Sequence, residues 1–273
     1  MTTITSAAGS CTFGSGHPTV LAAMLINALK NADLAQKIIH NDFDEVKRLA
    51  EVQRQDGVGF LQVMIAHPEM DEPDKLPKVC QAAHDASGLP LYIDSANVDA
   101  IRRTLDVFPF KPILSTSGEE SRLVPMLQLV KECGAAVICL CMDGDGIPET
   151  AAGRLAIAAR IIERAREIGI PDEDLVIDPL VMTAGVSGPD SMPVTLEVLR
   201  QVKERYNLAT FLGIDNAGFA MPQKDVLDLA YLLAAMPAGL DAALLEPPPC
   251  SALGRPGTTL LFAANFITGR DPY

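Results

Sequence analysis

The sequence predicts an α/β fold in which eight parallel strands, each followed by helical sequence, close into a barrel. Short apolar segments alternate with longer segments of helical period along the whole chain, which indicates a parallel sheet covered by helices. Most of the short segments are continuous apolar runs, as expected for strands that are buried on both faces. The length of 273 residues is close to the roughly 250 residues typical of a (β/α)8 TIM barrel.

The strands are placed where β-branched and apolar residues cluster between turn signals. We predict eight: Thr3–Ala8, Phe60–Ala66, Pro90–Ser95, Pro112–Ser117, Ala136–Met142, Leu175–Val181, Thr210–Asn216 and Ala242–Glu246.

The helices are placed where apolar residues recur every three or four positions. They are predicted at Thr19–Leu29 with Asp44–Gln55, then Leu76–Ala86, Val98–Val107, Glu120–Glu132, Thr150–Ile168, Met192–Arg205, Lys224–Ala235 and Thr258–Phe266.

One alternative fold is an open, doubly wound sheet. Such a sheet usually has a glycine-rich phosphate-binding turn after its first strand. The turn after the first predicted strand contains Gly9, Gly14 and Gly16 but does not match that pattern, so the barrel is favoured. Because no linker divides the chain, we expect residues 1–273 to form one domain, with Pro247–Pro249 as a stiff loop after the last strand.

The composition excludes some classes of function. The chain carries 35 acidic and 22 basic residues, a net charge of −13, and no basic stripe that would bind nucleic acid. No apolar run approaches the roughly 20 residues needed to cross a bilayer, and Met1–Ser10 does not resemble a signal peptide. The six scattered cysteines are expected to be reduced thiols, so we predict a cytoplasmic protein.

Polar residues stand at the carboxyl ends of four predicted strands, where barrels of this kind place their active sites. The four segments are Ile93–Asn97, Ser115–Ser117, Ile177–Leu180 and Gly213–Asn216. Asp94 and Asp178 each follow a β-branched residue, and a carboxylate buried there needs hydrogen-bond donors. A ring that carries an amino group and ring N–H groups is one such set of donors. Each aspartate alone could instead cap the next helix, but two of them together favour a binding site.

The end of the seventh strand offers further candidates. Gly213 lets a ligand approach the backbone closely, although a glycine needed only for packing is an equal alternative. Asn216 has both a donor and an acceptor, and its alternative role is that of a turn residue or helix cap.

No metal site is predicted. Cys139 and Cys141 share one face of a strand, but none of the four histidines lies near them in sequence. The segment Asp143-Gly144-Asp145-Gly146 resembles the start of a calcium loop but lacks the remaining ligands, so a tight turn is favoured.

In combination, four motifs resemble the pterin-binding methyltransferases, especially the methyltetrahydrofolate:corrinoid protein methyltransferases, whose barrel is similar to that of dihydropteroate synthase. The motifs are Asp94-Ser95-Ala96-Asn97, Gly146-Ile147-Pro148 followed by Arg154-Leu155-Ala156, Ile177-Asp178-Pro179-Leu180 and Gly213-Ile214-Asp215-Asn216. The resemblance runs from about Phe60 to the last helix. It is greatest to stand-alone enzymes of corrinoid demethylation systems, such as that for glycine betaine.

The resemblance implies that Asp94 and Asp178 bind the pterin nitrogens. Asn216 would lie near N5, the nitrogen that carries the methyl group, and Asp215 and Gly213 would line the same pocket. Met142 would pack on the pterin face, unless it is ordinary core. Lys224 occupies a position where the family often has an arginine near the folate; its alternative role is a solvated helix charge.

Some positions depart from the family pattern. The fourth strand has Leu114 where the family usually has asparagine, so one pterin contact is either lost or supplied by Ser115 or Ser117. The second strand has Gln62 and Met64 in place of Asp and Asn, and Thr5–Ser10 replaces the family's opening Gly-Glu-Arg-Ile-Asn segment.

The expected activity is methyl transfer between a protein-bound corrinoid (methylcobalamin) and N5 of tetrahydrofolate, with Asn216 and Asp215 acting on N5. The expected partners are a small-molecule folate, a separate corrinoid protein and, by resemblance, a second copy of the chain in a homodimer. A dihydropteroate synthase-like or aldolase-type enzyme and a non-catalytic pterin-binding subunit remain as alternatives.

Overall fold

The computed structural model describes residues 1–187 and 191–246. The chain begins with an antiparallel hairpin of β1 (Thr2–Ser6) and β2 (Gly9–Phe13). Eight further strands then form a closed parallel barrel in chain order, in which the last strand pairs with the first. They are β3 (Val20–Asn27), β4 (Phe60–Met64), β5 (Leu91–Ile93), β6 (Ile113–Ser117), β7 (Ala136–Leu140), β8 (Leu175–Asp178), β9 (Ala209–Gly213) and β10 (Ala242–Leu245).

Helices follow the strands and cover the outside of the barrel. They are α1 (Ala32–Ile39), α2 (Asp44–Gln55), α3 (Glu72–Ser87), α4 (Val98–Val107), α5 (Glu120–Cys133), α6 (Ala151–Ile168), α7 (Ala184–Ser187), α8 (Ser191–Tyr206) and α9 (Lys224–Ala235). Side chains of Asn31, Asp71, Asn97 and Thr150 cap the first turns of α1, α3, α4 and α6, each accepting a backbone N–H that would otherwise lack a partner.

The core has two layers. One apolar cluster lies between the strands and the helices, and a smaller one fills the inside of the barrel. The hairpin contributes Ile4 and Phe13 to the inner cluster, and the ring of Phe13 stacks on that of Phe60 at 5.9 Å between centroids. Thr5 N donates to Lys111 O, which precedes β6. The hairpin therefore closes the amino end of the barrel, and the carboxyl ends of the strands form the mouth.

The first part of the sequence-based prediction is wrong. Thr3–Ala8 belongs to the hairpin and not to the barrel, and the first barrel strand, Val20–Asn27, lies where a helix was predicted. The segment is almost uniformly apolar, and periodicity cannot distinguish a buried strand from a buried helix in such a run. As a result, Gly9, Gly14 and Gly16 do not follow the first barrel strand. The segment that leaves the first barrel strand at the mouth is Asn27–Lys30.

The rest of the predicted order is confirmed for the described residues. Asp44–Gln55, Val98–Val107 and Lys224–Ala235 begin and end as predicted, while most strands end two or three residues earlier than predicted because their polar ends belong to the loops. The closed barrel excludes the doubly wound alternative. The predicted helix Thr258–Phe266 and the loop Pro247–Pro249 lie outside the described residues. Within those residues, no helix combines the length and apolar character needed to span a bilayer.

Candidate functional site

The mouth of the barrel is lined by inward-facing side chains. Phe60, Tyr92, Ile113, Val176 and Phe211 belong to the inner cluster. Because side chains alternate between the two faces of a strand, the residues two positions later also face inward. These are Gln62, Asp94, Ser115, Asp178 and Gly213, all of which the sequence analysis selected.

Asp94 accepts hydrogen bonds from two neighbouring strands. Gln62 Nε2 donates to its Oδ2 at 2.6 Å, and Ser115 Oγ donates to its Oδ1 at 3.1 Å. Burial raises the pKa of Asp94, while hydrogen bonds from Ser115, Gln62 and Tyr92 oppose this rise. Gln62 Oε1 is buried and has no hydrogen-bond partner among the described residues. A buried acceptor without a hydrogen bond costs free energy. A ligand that donates a hydrogen bond to Gln62 Oε1 would remove this cost.

Asp178 is almost completely buried at the end of β8. Its Oδ1 accepts a hydrogen bond from Leu180 N at 2.8 Å. Burial raises the pKa of Asp178 to about 7, although this hydrogen bond and the charge of Arg154 lower it. Lone pairs that this bond does not use can accept hydrogen bonds from a ligand.

A cleft of about 600 Å³ opens beside Asp94. Ser115, Ser117, Leu140 and Met142 line it from the barrel side. Met142 is half-buried and belongs to this wall, where it can contact the face of a flat ring. The volume is in the range of small-molecule sites.

The end of β9 turns sharply through a 3-10 helix, Ile214–Asn216. Asn216 is the last residue of this turn and is exposed. A Cβ added to Gly213 would lie 3.3 Å from Asn216 Nδ2. Because Gly213 has no side chain, the side-chain amide of Asn216 can lie close to the end of β9.

Asp215 points into a cluster of charges. It is 4% exposed and pairs with Lys30 and, at 2.5 Å, with Lys224, which also pairs with Asp228 at 2.5 Å. Burial alone would raise the pKa of Asp215, but the two lysines lower it below its usual value. Lys224 is therefore part of an ion-pair network and not a solvated helix charge.

Several residues selected from the sequence have structural roles. Asn97 caps α4, and Ser95 Oγ donates to Glu72. Leu114 packs in the outer cluster under the helices, whereas Ser115 and Ser117 of the same strand line the cleft. Likewise, Thr5–Ser10 lies at the opposite end of the barrel and does not replace a segment of the site.

The weaker motifs are also structural. Residues 143–146 form a turn, with Asp143 N donating to Gly146 O at 3.1 Å. Cys139 and Cys141 are fully buried in the outer cluster, and burial raises the pKa of both thiols. Within residues 1–187 and 191–246, no three His, Cys, Asp or Glu side chains are grouped so that they could hold a metal ion.

The sequence analysis missed two features of the site. Lys30 was missed because the first barrel strand was misplaced, so no strand end was expected there. Arg154 was noted in a motif but received no role. The signal that could have identified it is a lone arginine among the apolar positions Leu155, Ala158 and Ile162 of a predicted helix.

Comparison with known proteins identifies similar sequences. Residues 26–246 match the family model described as pterin binding enzyme. The chain is 26% identical over 233 residues to the methionine synthase of Mycobacterium tuberculosis, covering 81% of this chain and 20% of that protein. It is 22% identical over 234 residues to the methylcorrinoid:tetrahydrofolate methyltransferase of Eubacterium limosum, covering 83% of each. This chain thus spans only about a fifth of the methionine synthase.

Solved structures share the fold. A dihydropteroate synthase from Coxiella burnetii in complex with pteroic acid superposes with a TM-score of 0.70 at 14% identity, covering 99% of this chain and 100% of that one. The dihydropteroate synthase of Yersinia pestis bound to a pterine-sulfa conjugate gives a TM-score of 0.66 at 15% identity, covering 97% of each chain. These likenesses support the barrel architecture.

Proposed function

This chain belongs to the pterin-binding enzyme family, and we propose that it transfers a methyl group between a protein-bound corrinoid and N5 of tetrahydrofolate. The sequence likeness to a protein named methylcorrinoid:tetrahydrofolate methyltransferase extends over most of both chains and supports this reaction. The observation that carries the proposal is the set of acceptors at the mouth: the buried Asp178 and Gln62 Oε1 and the half-buried Asp94.

A reduced pterin matches this set because one edge of its rings carries several N–H donors, including the exocyclic amine. Asp178 has lone pairs available for two donors side by side, and Asp94 and Gln62 offer acceptors on the other side of the barrel. Hydrogen bonds to a carboxylate in a water-poor site are stronger than neutral ones. Met142 and Leu140 supply the apolar wall against which the ring packs.

Asn216 is the group proposed to act on N5. It is exposed at the end of the turn after β9. An amide N–H that donates to N5 stabilises the negative charge that develops there as the methyl group leaves, and N5 then takes a proton from water. In the reverse direction the amide oxygen accepts the N5–H and orients the N5 lone pair toward the methyl group, and the N5 proton is lost to water. Its contribution is therefore largest in the transition state.

Asp215 is proposed to support Asn216 and not to donate a proton. Its two lysine partners keep it ionised at neutral pH. The ion pairs join the loop after β3, the turn after β9 and the start of α9. This network holds the backbone from which Asn216 projects.

The corrinoid is proposed to reside on a separate protein that docks at the mouth, and when bound it supplies the cobalt that donates or accepts the methyl group. Leu29 and Phe219 follow β3 and β9 and are 56% and 57% exposed. Exposed apolar side chains at a functional mouth are typical of a surface that a partner covers. Contacts of this kind would bring the corrinoid to the folate.

The test is to mix the protein with tetrahydrofolate and methylcobalamin and to follow the visible spectrum. We expect protein-dependent loss of methylcobalamin that requires tetrahydrofolate. If the protein binds tetrahydrofolate but shows no turnover with either free methylcobalamin or a methylated corrinoid protein, the non-catalytic subunit would be favoured. Condensation of a dihydropterin pyrophosphate with p-aminobenzoate would favour the synthase alternative. Absence of any pterin binding would refute the proposal.

A further inference from the structure

A single buried arginine joins the loops beside Asp178. Arg154 lies in the first turn of α6 and is 1% exposed. Its Nε donates to Pro148 O at 2.8 Å, and its Nη1 donates to Pro179 O at 3.0 Å, Leu180 O at 2.8 Å and Thr195 Oγ1 at 2.9 Å. The guanidinium therefore connects the loop after β7, the loop after β8 and helix α8.

The backbone held by Arg154 is the part that contacts Asp178. Leu180 has a φ of 69°, a left-handed conformation that is unfavourable for a branched residue. Its N–H donates to Asp178 and its C=O accepts from Arg154 and from Thr195. A strained residue persists only when its surroundings hold it, and Arg154 provides this support on the carbonyl side.

Arg154 is also the only cation whose charge acts on Asp178 within the part of the chain that the structure describes. The other titratable groups facing Asp178 are Tyr92 on β5, Cys141 after β7 and Tyr231 on α9. Burial raises the pKa of all three, so they are neutral at pH 7. The positive charge that favours the carboxylate form of Asp178 therefore comes from α6.

We propose that Arg154 is a positioning residue that aims the Asp178 carboxylate into the mouth and keeps it ionised for the ligand. The geometric part concerns Asp178 alone, whereas the consequence for a folate rests on the proposed function. Two properties of Arg154 contribute. Its positive charge favours the carboxylate form of Asp178, and its hydrogen bonds hold the loop after β8 that orients this carboxylate.

The direct test is the titration of Asp178 in the ligand-free protein. The protein is labelled with ¹³C at aspartate carboxyls, and the Asp178 signal is assigned with Asp178→Asn. We expect a midpoint near pH 7 in the wild type and about one pH unit higher in Arg154→Met, the low end of what a lost counter-charge produces. Arg154→Lys keeps the charge and should titrate close to the wild type while losing thermal stability.

Arg160→Met is the matched control. Arg160 lies on the same helix and donates to Gly118 O at 3.1 Å and to Asp143 at 2.8 Å, so its loss removes an arginine charge and two hydrogen bonds away from Asp178. Thr195→Val removes a hydroxyl from the Arg154 network and leaves the charge in place. Both should keep the wild-type midpoint. If Arg154→Met does not fold, Arg154→Gln takes its place, and failure of both neutral variants to fold would reduce Arg154 to a folding anchor and overturn the proposal.

The affinity for tetrahydrofolate at several pH values separates this inference from the proposed function. We expect the pH below which affinity falls to move upward in Arg154→Met and to stay in place in Arg154→Lys and Arg160→Met. A shifted Asp178 titration in a protein that binds no pterin would refute the proposed function and leave the role of Arg154 intact. An unchanged Asp178 midpoint in the neutral variant would refute the inference, whatever the protein binds.

Discussion

Asp178 and Asp215 follow or end neighbouring strands of the barrel and are equally buried, each 4% exposed, yet their carboxyl groups are opposite in character. Asp178 has no direct ion pair within residues 1–187 and 191–246, and burial raises its pKa to about 7. Asp215 has two lysine partners, and its pKa is lowered. Burial therefore sets the cost of the charge, and the partners decide whether a carboxylate is open to a ligand or committed to the fold. This difference supports the proposal that Asp178 binds the ligand and that Asp215 supports the fold of the site.

The largest expected effect is on folate binding. Asp178→Ala and Asp94→Ala should each weaken tetrahydrofolate binding by about 2–4 kcal/mol, the scale for removing one partner of a buried charge-assisted contact. Titration calorimetry at pH 8 measures this loss. Asp172→Ala, which breaks an exposed pair with Arg166 before β8 at the amino end of the barrel, is the control. Unchanged affinity in both variants would remove the pterin assignment.

The support role of Asp215 predicts an effect on stability. Lys224→Met should lower the free energy of unfolding by about 1–2 kcal/mol, because the buried Asp215 and Asp228 each lose a partner. The half-exposed Lys30 remains beside Asp215 and limits the loss. Lys47→Met, which removes an exposed pair with Asp44, should cost less than about 0.5 kcal/mol. Denaturant unfolding measures both. Equal stability of the two variants would show that the Asp215 network is only a surface feature.

The pH dependence of the two carboxylates should differ. Asp178 can accept N–H groups at both carboxyl oxygens, in charge-assisted bonds, only when it is ionised, so tetrahydrofolate affinity should fall by up to about tenfold per pH unit below the pKa of about 7. In the ligand-free protein the sign is reversed: the raised pKa stabilises the fold at low pH, and this contribution is lost as the pH rises through about 7. Asp178→Asn should therefore be more heat-stable than the wild type above pH 7. Affinity that is flat from pH 6 to 8 would contradict this assignment.

Chelation should have the smallest effect. Prolonged treatment with EDTA is expected to leave the methyl transfer rate unchanged, because no group of His, Cys, Asp and Glu suitable for a metal lies among the described residues. Assays before and after dialysis, with and without added zinc, measure this. A loss of activity that zinc restores would contradict it.

Most of the barrel and its binding edge could be predicted from the sequence because both depend on local patterns. Asp94, Ser115, Asp178 and Gly213 were placed correctly at strand ends because parallel strands bring their carboxyl ends to one side. Val20–Asn27 could not be distinguished from a buried helix by its apolar run alone. Lys30 was missed for that reason. The ion pair between Lys30 and Asp215 joins residues 185 positions apart in sequence, and no local pattern indicates such a contact.

The central claim, that methyl transfer occurs at N5 beside the end of β9, is tested most directly with Asn216→Ala. The rate of methylcobalamin consumption in a single turnover, tetrahydrofolate affinity and melting temperature are measured on one preparation of this variant and of the wild type. We expect a stable protein whose rate is lower by about 10²-fold or more, with affinity changed less than about tenfold, because the amide contact strengthens only as charge develops on N5. A stable variant with the wild-type rate would remove Asn216 from the mechanism, and a wild type that consumes no methylcobalamin, free or protein-bound, would contradict the methyltransferase assignment itself.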